Sequence, residues 1–249
     1  MAASLAVLVK YYESKTDFII AGFENSAYTS FSYFLGIMVV FRTSQSYSRF
    51  WGGCTSVHKM MGHWTDATVA MIACSHASTA GDEKTRIFIA TFIRLISILN
   101  ALILAELEGS DSPKTSRAAF SYQLLDPQAI DRDCLEALRK SPKKSLMVYQ
   151  WIHTHMIDGN LTGVLGVPPP LLARAFHAMD QGLLDYHDAL KYADTPFPFP
   201  YTAAMELLLT VHFFLTPIAV CSWVHNYYLA FLFTFVLVSS VWVLQGVSA

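Results

Sequence analysis

Nine histidines and four cysteines are the side chains of this 249-residue chain best suited to ligate a metal or attack a substrate. Their spacing argues against both uses. His153 and His155 are two residues apart, so a helix turns them to different sides; His58 and His63 are five apart. Neither pair has neighbouring paired carboxylates to close a metal shell. Cys54, Cys74, Cys134 and Cys221 are scattered and form no CxxC, so neither a zinc ribbon nor a disulfide framework is indicated, and free thiols are the simpler reading. No GxSxG, HExxH, Walker A or GxGxxG occurs. The residues propose no reaction: no catalytic residue, no metal and no cofactor is expected, and the chain does not read as an enzyme.

The elements that carry these residues are apolar. Charged residues make up 14% and the hydrophobic set 53%, with a mean hydropathy of +0.37. A soluble domain is about 25% charged, so the composition points to a membrane. The formal charge of −2 gives no basic field for nucleic acid. From Leu207 to Ala249 there is no Asp, Glu, Lys or Arg, a length that as helix crosses a ~30 Å hydrocarbon layer twice. Ser222–Asn226, flanked by Trp223, Tyr227 and Tyr228, reads as the turn between two spans near 203–221 and 227–246. Pro217 lies inside the first, which a membrane helix tolerates, often with a kink. Asn25–Phe41 is a further uncharged stretch, closed by Arg42 and Arg49 and expected to extend toward Phe18 across Glu24.

Two apolar segments are not read as complete spans. MAASLAVLVKYY is too short to cross and lacks the basic start and the cleavage site of a signal peptide; residues 1–13 are expected to be the tail of a first span. Ile87–Leu107 would satisfy a hydropathy window, but it carries Arg94, Asn100 and Glu106. An arginine at the bilayer centre costs about 2.5–3.5 kcal/mol on insertion scales, so a buried helix of a soluble layer explains the segment better. Arg42, Arg49 and Lys59 follow one span, and Arg174 and Lys191 precede the next. The positive-inside rule therefore places the region between them on the cytoplasmic or stromal side.

That region reads as helical. HKMMGHWTDATVAMIACSHA ends at Thr79–Gly81, and Asp82 is a candidate cap for the next helix. Gly109–Arg117 is polar loop, DRDCLEALRK a short helix stopping at Ser141–Pro142, and KKSLMVYQWIHTHMI another helix. The prolines at 168–170 suit a helix start. No strand pattern or internal repeat stands out. The expected fold class is an all-α membrane protein. Its organisation is a first-span remnant at 1–13, a transmembrane helix at 18–46, a helical region at 47–198 and a helical hairpin at 199–249.

Two segments carry a family resemblance. One is FLGIMVVFRTSQSYSRFW (Phe34–Trp51); the other is TPFPFPY (Thr195–Tyr201), leading directly into an apolar helix. In this order they resemble the bestrophin and bestrophin-like anion channels, and SYSRF most resembles the plant, algal and bacterial branch. The resemblance covers roughly residues 20–249. It implies a homopentamer around one pore, with transmembrane helices, a cytosolic helical layer and a narrow apolar neck lined by the second transmembrane helix. Carried over residue by residue, the neck falls on Tyr33, Ile37 and Phe41, the last directly before Arg42. Spacing of i, i+4, i+8 then puts all three near one helix face. Tyr33 departs from the usual aliphatic residue. Arg42 and Arg49 become basic residues adjacent to the pore, with interfacial anchoring as an equal alternative. A second constriction is implied around Val167, Pro170 and Leu171. In TPFPFPY the three prolines keep the chain extended up to the span.

The resemblance implies passage of chloride or other small anions through the neck, with lipid and other copies of the chain as partners and no nucleic acid. The alternatives are a secondary anion transporter, which would favour inverted repeats and polar or broken midplane helices, and a non-conducting membrane scaffold or accessory subunit. The location implied is a multi-pass site in a thylakoid or other plastid membrane, with the plasma membrane as the alternative. The pattern departs in three places: the start of the first span is absent, Gly52–Gly53–Cys54 replaces a charged stretch, and the chain reaches Ala249 without the acidic Pro-Phe-Gly segment that holds calcium in animal members. No calcium site is expected.

Overall fold

A computed structural model describes residues 1–16, 25–108, 124–125 and 132–247, and in these every regular element is a helix. In order they are α1 (Ala2–Thr16), α2 (Asn25–Ser75), α3 (Asp82–Leu107), α4 (Arg132–Lys140), α5 (Lys144–Leu161), α6 (Pro169–Asp194), α7 (Phe199–Trp223) and α8 (Tyr227–Val247). The expected extension of α2 toward Phe18 and the expected loop at 109–117 lie outside the described residues. By length and apolarity, the described stretches able to cross a membrane are Asp82–Leu107, Pro169–Trp223 and Tyr227–Val247. The segment at 25–41 is not among them, because Tyr28, Thr29, Ser30, Ser32 and Tyr33 dilute its hydropathy.

The chain forms two compact units. One comprises 1–50 and 196–249; the other comprises 51–195. Helix α2 contributes to both as one unbroken helix of 51 residues, about 77 Å long at ~1.5 Å per residue. That exceeds a ~30 Å hydrocarbon layer, so only part of it fits within a bilayer.

In the first unit α1, α7 and α8 pack on one another. Ala2, Ala3 and Ala6 are buried, and their small side chains let backbones approach closely, as helix packing in lipid favours. Lys10 donates from Nζ to the carbonyl of Cys221 at 2.9 Å, and Cys221 Sγ to that of Ala6 at 3.2 Å. Between α7 and α8 the chain turns at Val224–Asn226, where Asn226 Oδ1 accepts from the Tyr228 N–H at 3.0 Å. Leu35 and Val39 of α2 meet Met205 and Leu209 of α7 in a small apolar core.

The second unit has the larger core. Met60, Trp64, Ala67 and Met71 of α2 join Phe92, Leu99 and Ile103 of α3, Ile152 and Met156 of α5, and Ala175 and Met179 of α6. Fully burying one such large side chain contributes about 1.5–3 kcal/mol. Helix α3 is therefore a packed core helix of this unit, despite its hydropathy. Its Glu106 Oε2 accepts from Ser145 Oγ at 2.9 Å and from the Tyr186 hydroxyl at 2.5 Å. Asp82 is not the cap expected for α3. Gly81 takes that position at φ 94°, with no side-chain cap bond, and Asp82 is the first helical residue. The positive φ suits only glycine, and Asp82 and Glu83 instead favour the positive end of the helix by charge.

Candidate functional site: the α2–α7 pair and the start of α6

The α2 face turned toward α7 can be followed down the helix. The Tyr28 hydroxyl donates to Thr216 Oγ1 at 3.0 Å, and the ring of Phe31 stacks on His212 at 6.5 Å. Leu35 and Val39 then contact Leu209 and Met205, and Arg42 lies with its guanidinium carbon 5.7 Å from the ring centroid of Phe197. The residues on α2 rise as those beyond it fall, so the pairing is antiparallel. At about 100° per residue, Tyr28, Leu35, Val39 and Arg42 share one side of α2, and Tyr33, Ile37 and Phe41 fall on the opposite side. There they are 73%, 50% and 46% exposed, whereas Leu35 and Val39 are buried.

Arg42 and Arg49 separate. Arg42 is 6% exposed on the α7 side, and its Nε and Nη1 have no hydrogen-bond partner among the described residues. Arg49 is half-buried and engaged by a neighbour. The Phe197 partner of Arg42 was not legible beforehand. Both residues stood inside quoted motifs, but 155 positions of sequence separate them and no spacing rule joins them.

The TPFPFPY segment is shorter as a linker than the prolines suggested. Only Thr195–Pro198 is non-helical. Pro198 is the N-cap of α7, and Pro200 is already within its first turn, where a missing N–H costs nothing because that group has no intrahelical partner.

The start of α6 is held by two tied loops. Thr79 donates both its N–H and its hydroxyl to the carbonyl of Gly163, at 3.1 and 3.3 Å. Gly163 has φ 74°, and the Gly166 backbone packs so closely on the Ala77 carbonyl that no Cβ fits. Pro168 caps α6, with Pro169 and Pro170 in its first turn. Val167 is half-buried against the core, whereas Pro170 and Leu171 are exposed.

Two polar contacts to aspartates tie α6 to its neighbours in the second unit. His63 Nε2 on α2 lies 3.4 Å from Asp185 Oδ2. On α5, the Tyr149 hydroxyl donates to Asp180 Oδ1 at 2.5 Å, and His153 Nε2 lies 3.9 Å from the same oxygen. Burial, reinforced by Asp180, pushes the Tyr149 phenol above its ordinary range. Burial lowers His153, and Asp180 offsets part of that. No group of three or more metal-type ligands occurs among the described residues.

The family profile described as Bacterial/Fungal Bestrophin protein matches residues 1–248. No curated protein sequence matches the chain. Among solved structures, a variant of a bacterial bestrophin homologue from Klebsiella pneumoniae is similar with a TM-score of 0.77 at 10% identity, over 99% of this chain and 84% of that one. A second variant from the same organism gives a TM-score of 0.74 at 11% identity, over 99% and 86%. A structure described as a membrane protein gives 0.72 at 12% identity, over 99% and 84%. At such identities these likenesses establish the fold, an all-helical bestrophin-like one. The family match carries the rest: an integral membrane protein in a family of channels. With its motifs in order and its profile matched end to end, this chain belongs to the bestrophin family.

Proposed function

We propose that the chain is one subunit of an anion channel passing chloride and other small anions through an apolar neck on the axis of a homopentamer. The observation that carries this reading is the exposed α2 face bearing Tyr33, Ile37 and Phe41, on the side of the helix away from its own bundle, in a chain of the bestrophin family. Five copies of each side chain around an axis would give three stacked rings. An apolar ring shuts by dewetting and opens on slight widening. Aromatic edges carry partial positive charge and ease passage of a weakly hydrated anion. The Tyr33 hydroxyl keeps the first ring wetter than the two beyond it.

Arg49 is read as raising the local anion concentration near the neck. The start of α6 is read as the second constriction, with the exposed Pro170 and Leu171 nearer to passing ions than Val167.

Planar-bilayer recording of the purified chain tests the proposal. Anion-selective unitary currents are expected, and saturable coupled flux without unitary currents would overturn it. Ile37→Ala and Phe41→Ala should each widen a ring and raise open probability several-fold. Unchanged gating in both variants removes these residues from the pore.

A further inference from the structure

We propose that Arg42 forms a binding site for a compact monovalent anion of the halide type, set behind the neck face at the foot of the α2–α7 pair. Arg42 is 94% buried, and its Nε and Nη1 meet no acceptor among the described residues. Nε carries one N–H and Nη1 two, so three of the five guanidinium donors are unsatisfied. An arginine cannot shed its charge to relieve burial, as a lysine can. A buried charge without a counter-charge costs several kcal/mol.

Among the described residues no carboxylate forms an ion pair with it. The Phe197 ring lies 5.7 Å away. A cation–π contact of that kind is worth roughly 0.5–2 kcal/mol, and it offers no lone pair to an N–H. Glu206, the carboxylate of α7, is exposed and about two turns into that helix, and it makes no ion pair with Arg42. The start of α7 adds charge of the same sign as the guanidinium. The antiparallel pairing from Tyr28–Thr216 down to Val39–Met205 brings Arg42 level with the first turn of α7, and a helix start is its positive end. Two positive ends without an acceptor select an anion. The 6% exposure selects a small one, since a lipid headgroup or a neighbouring chain's carboxylate needs a wider opening. Phe197, in the non-helical stretch before α7, is the side chain that must swing to admit it.

The site deepens the anion-channel reading, yet its test needs no current. The detergent-solubilised full chain is unfolded thermally in sodium chloride and in sodium gluconate at equal ionic strength. Saturating chloride should raise the midpoint by on the order of 3 °C. Arg42→Met should abolish that rise, Arg42→Lys should reduce it, and Phe197→Ala should preserve it. Equal midpoints in the two salts overturn the proposal, as does a chloride rise undiminished in Arg42→Met. A rise seen only on adding phosphatidylglycerol overturns it in favour of a lipid headgroup. If Arg42→Met does not fold, crystals of the unaltered chain in bromide decide: an anomalous peak within hydrogen-bond reach of the Arg42 guanidinium supports the site, and its absence refutes it. Currents without a chloride-dependent midpoint would leave the channel and remove the site; a chloride-dependent midpoint without currents would do the reverse.

Discussion

Trp64 is fully buried on α2, and its indole edge rests on the backbone of Gly182 in α6 so tightly that no Cβ fits between them. Both sides of this contact are rigid, one a helix backbone and the other a packed indole. Gly182→Ala should therefore destabilise the second unit by about 1–3 kcal/mol, the usual cost of overpacking a core. Gly52 offers an internal comparison. An added Cβ there would meet the ring end of Tyr192 at 2.7 Å, but a half-exposed tyrosine can swing away, so Gly52→Ala should cost less. Gly53→Ala, whose nearest atom is Tyr192 Cβ at 3.9 Å, should be close to neutral apart from the gain in helix propensity. Thermal midpoints of the three variants check the ranking, and a Gly182→Ala midpoint equal to that of Gly53→Ala would refute it. The same contacts explain Gly52, which looked in the sequence like a departure from the family: the tyrosine ring of α6 occupies the space a side chain would need.

Helix α6 joins the start-of-helix prolines to the core through polar ties as well as apolar ones. Glu106 of α3 binds Tyr186 of α6 and Ser145 of α5 through one oxygen, and burial together with that carboxylate raises the Tyr186 phenol above its ordinary range. His153 of α5 sits between Tyr149 and Phe176, with ring centroids 4.4 and 5.2 Å away. Its affinity for a proton is lowered by burial. The unfolded chain therefore binds this proton more tightly than the folded one. Stability should rise with pH between the depressed folded value and the ordinary histidine value, and be level above it. His153→Phe keeps an aromatic ring between its neighbours and should remove this histidine's share of the slope. Midpoints recorded across the acid-to-neutral range test this, and a slope unchanged by the substitution would refute the assignment to His153.

At the scale of the whole molecule, the first unit leaves a large apolar area open. Tyr33, Phe34, Ile37, Val40 and Phe41 on α2, Leu207 and Phe214 on α7 and much of α8 are exposed. Soluble monomers rarely expose apolar patches beyond a few hundred Å². Lipid covers part of such a surface in an integral membrane protein, and the proposed axis accounts for the α2 part. The mass of the detergent-solubilised assembly, measured with the detergent contribution subtracted, should correspond to five chains, and a stable monomer would contradict the shared neck.

The helices were largely legible in the sequence because hydropathy, proline and charge are local signals. The expected spans near 203–221 and 227–246 fall inside α7 and α8. Arg94, Asn100 and Glu106 marked α3 as a helix for a packed layer, its Phe92, Leu99 and Ile103 are buried in the core of the second unit, and the 168–170 prolines do start a helix. The two motifs named a family that the profile match then showed. What the chain could not reveal by itself is non-local. That α2 runs unbroken from Asn25 to Ser75, that Arg42 turns away from Phe41 toward Phe197, that Gly52 and Gly182 make room for Tyr192 and Trp64, and that Asp82 yields its cap position to Gly81 all depend on which surfaces meet. Periodicity tells which side of a helix is apolar. Only packing decides which neighbour that side touches, because burial energy is non-directional and many pairings satisfy it until the close-packed one is reached.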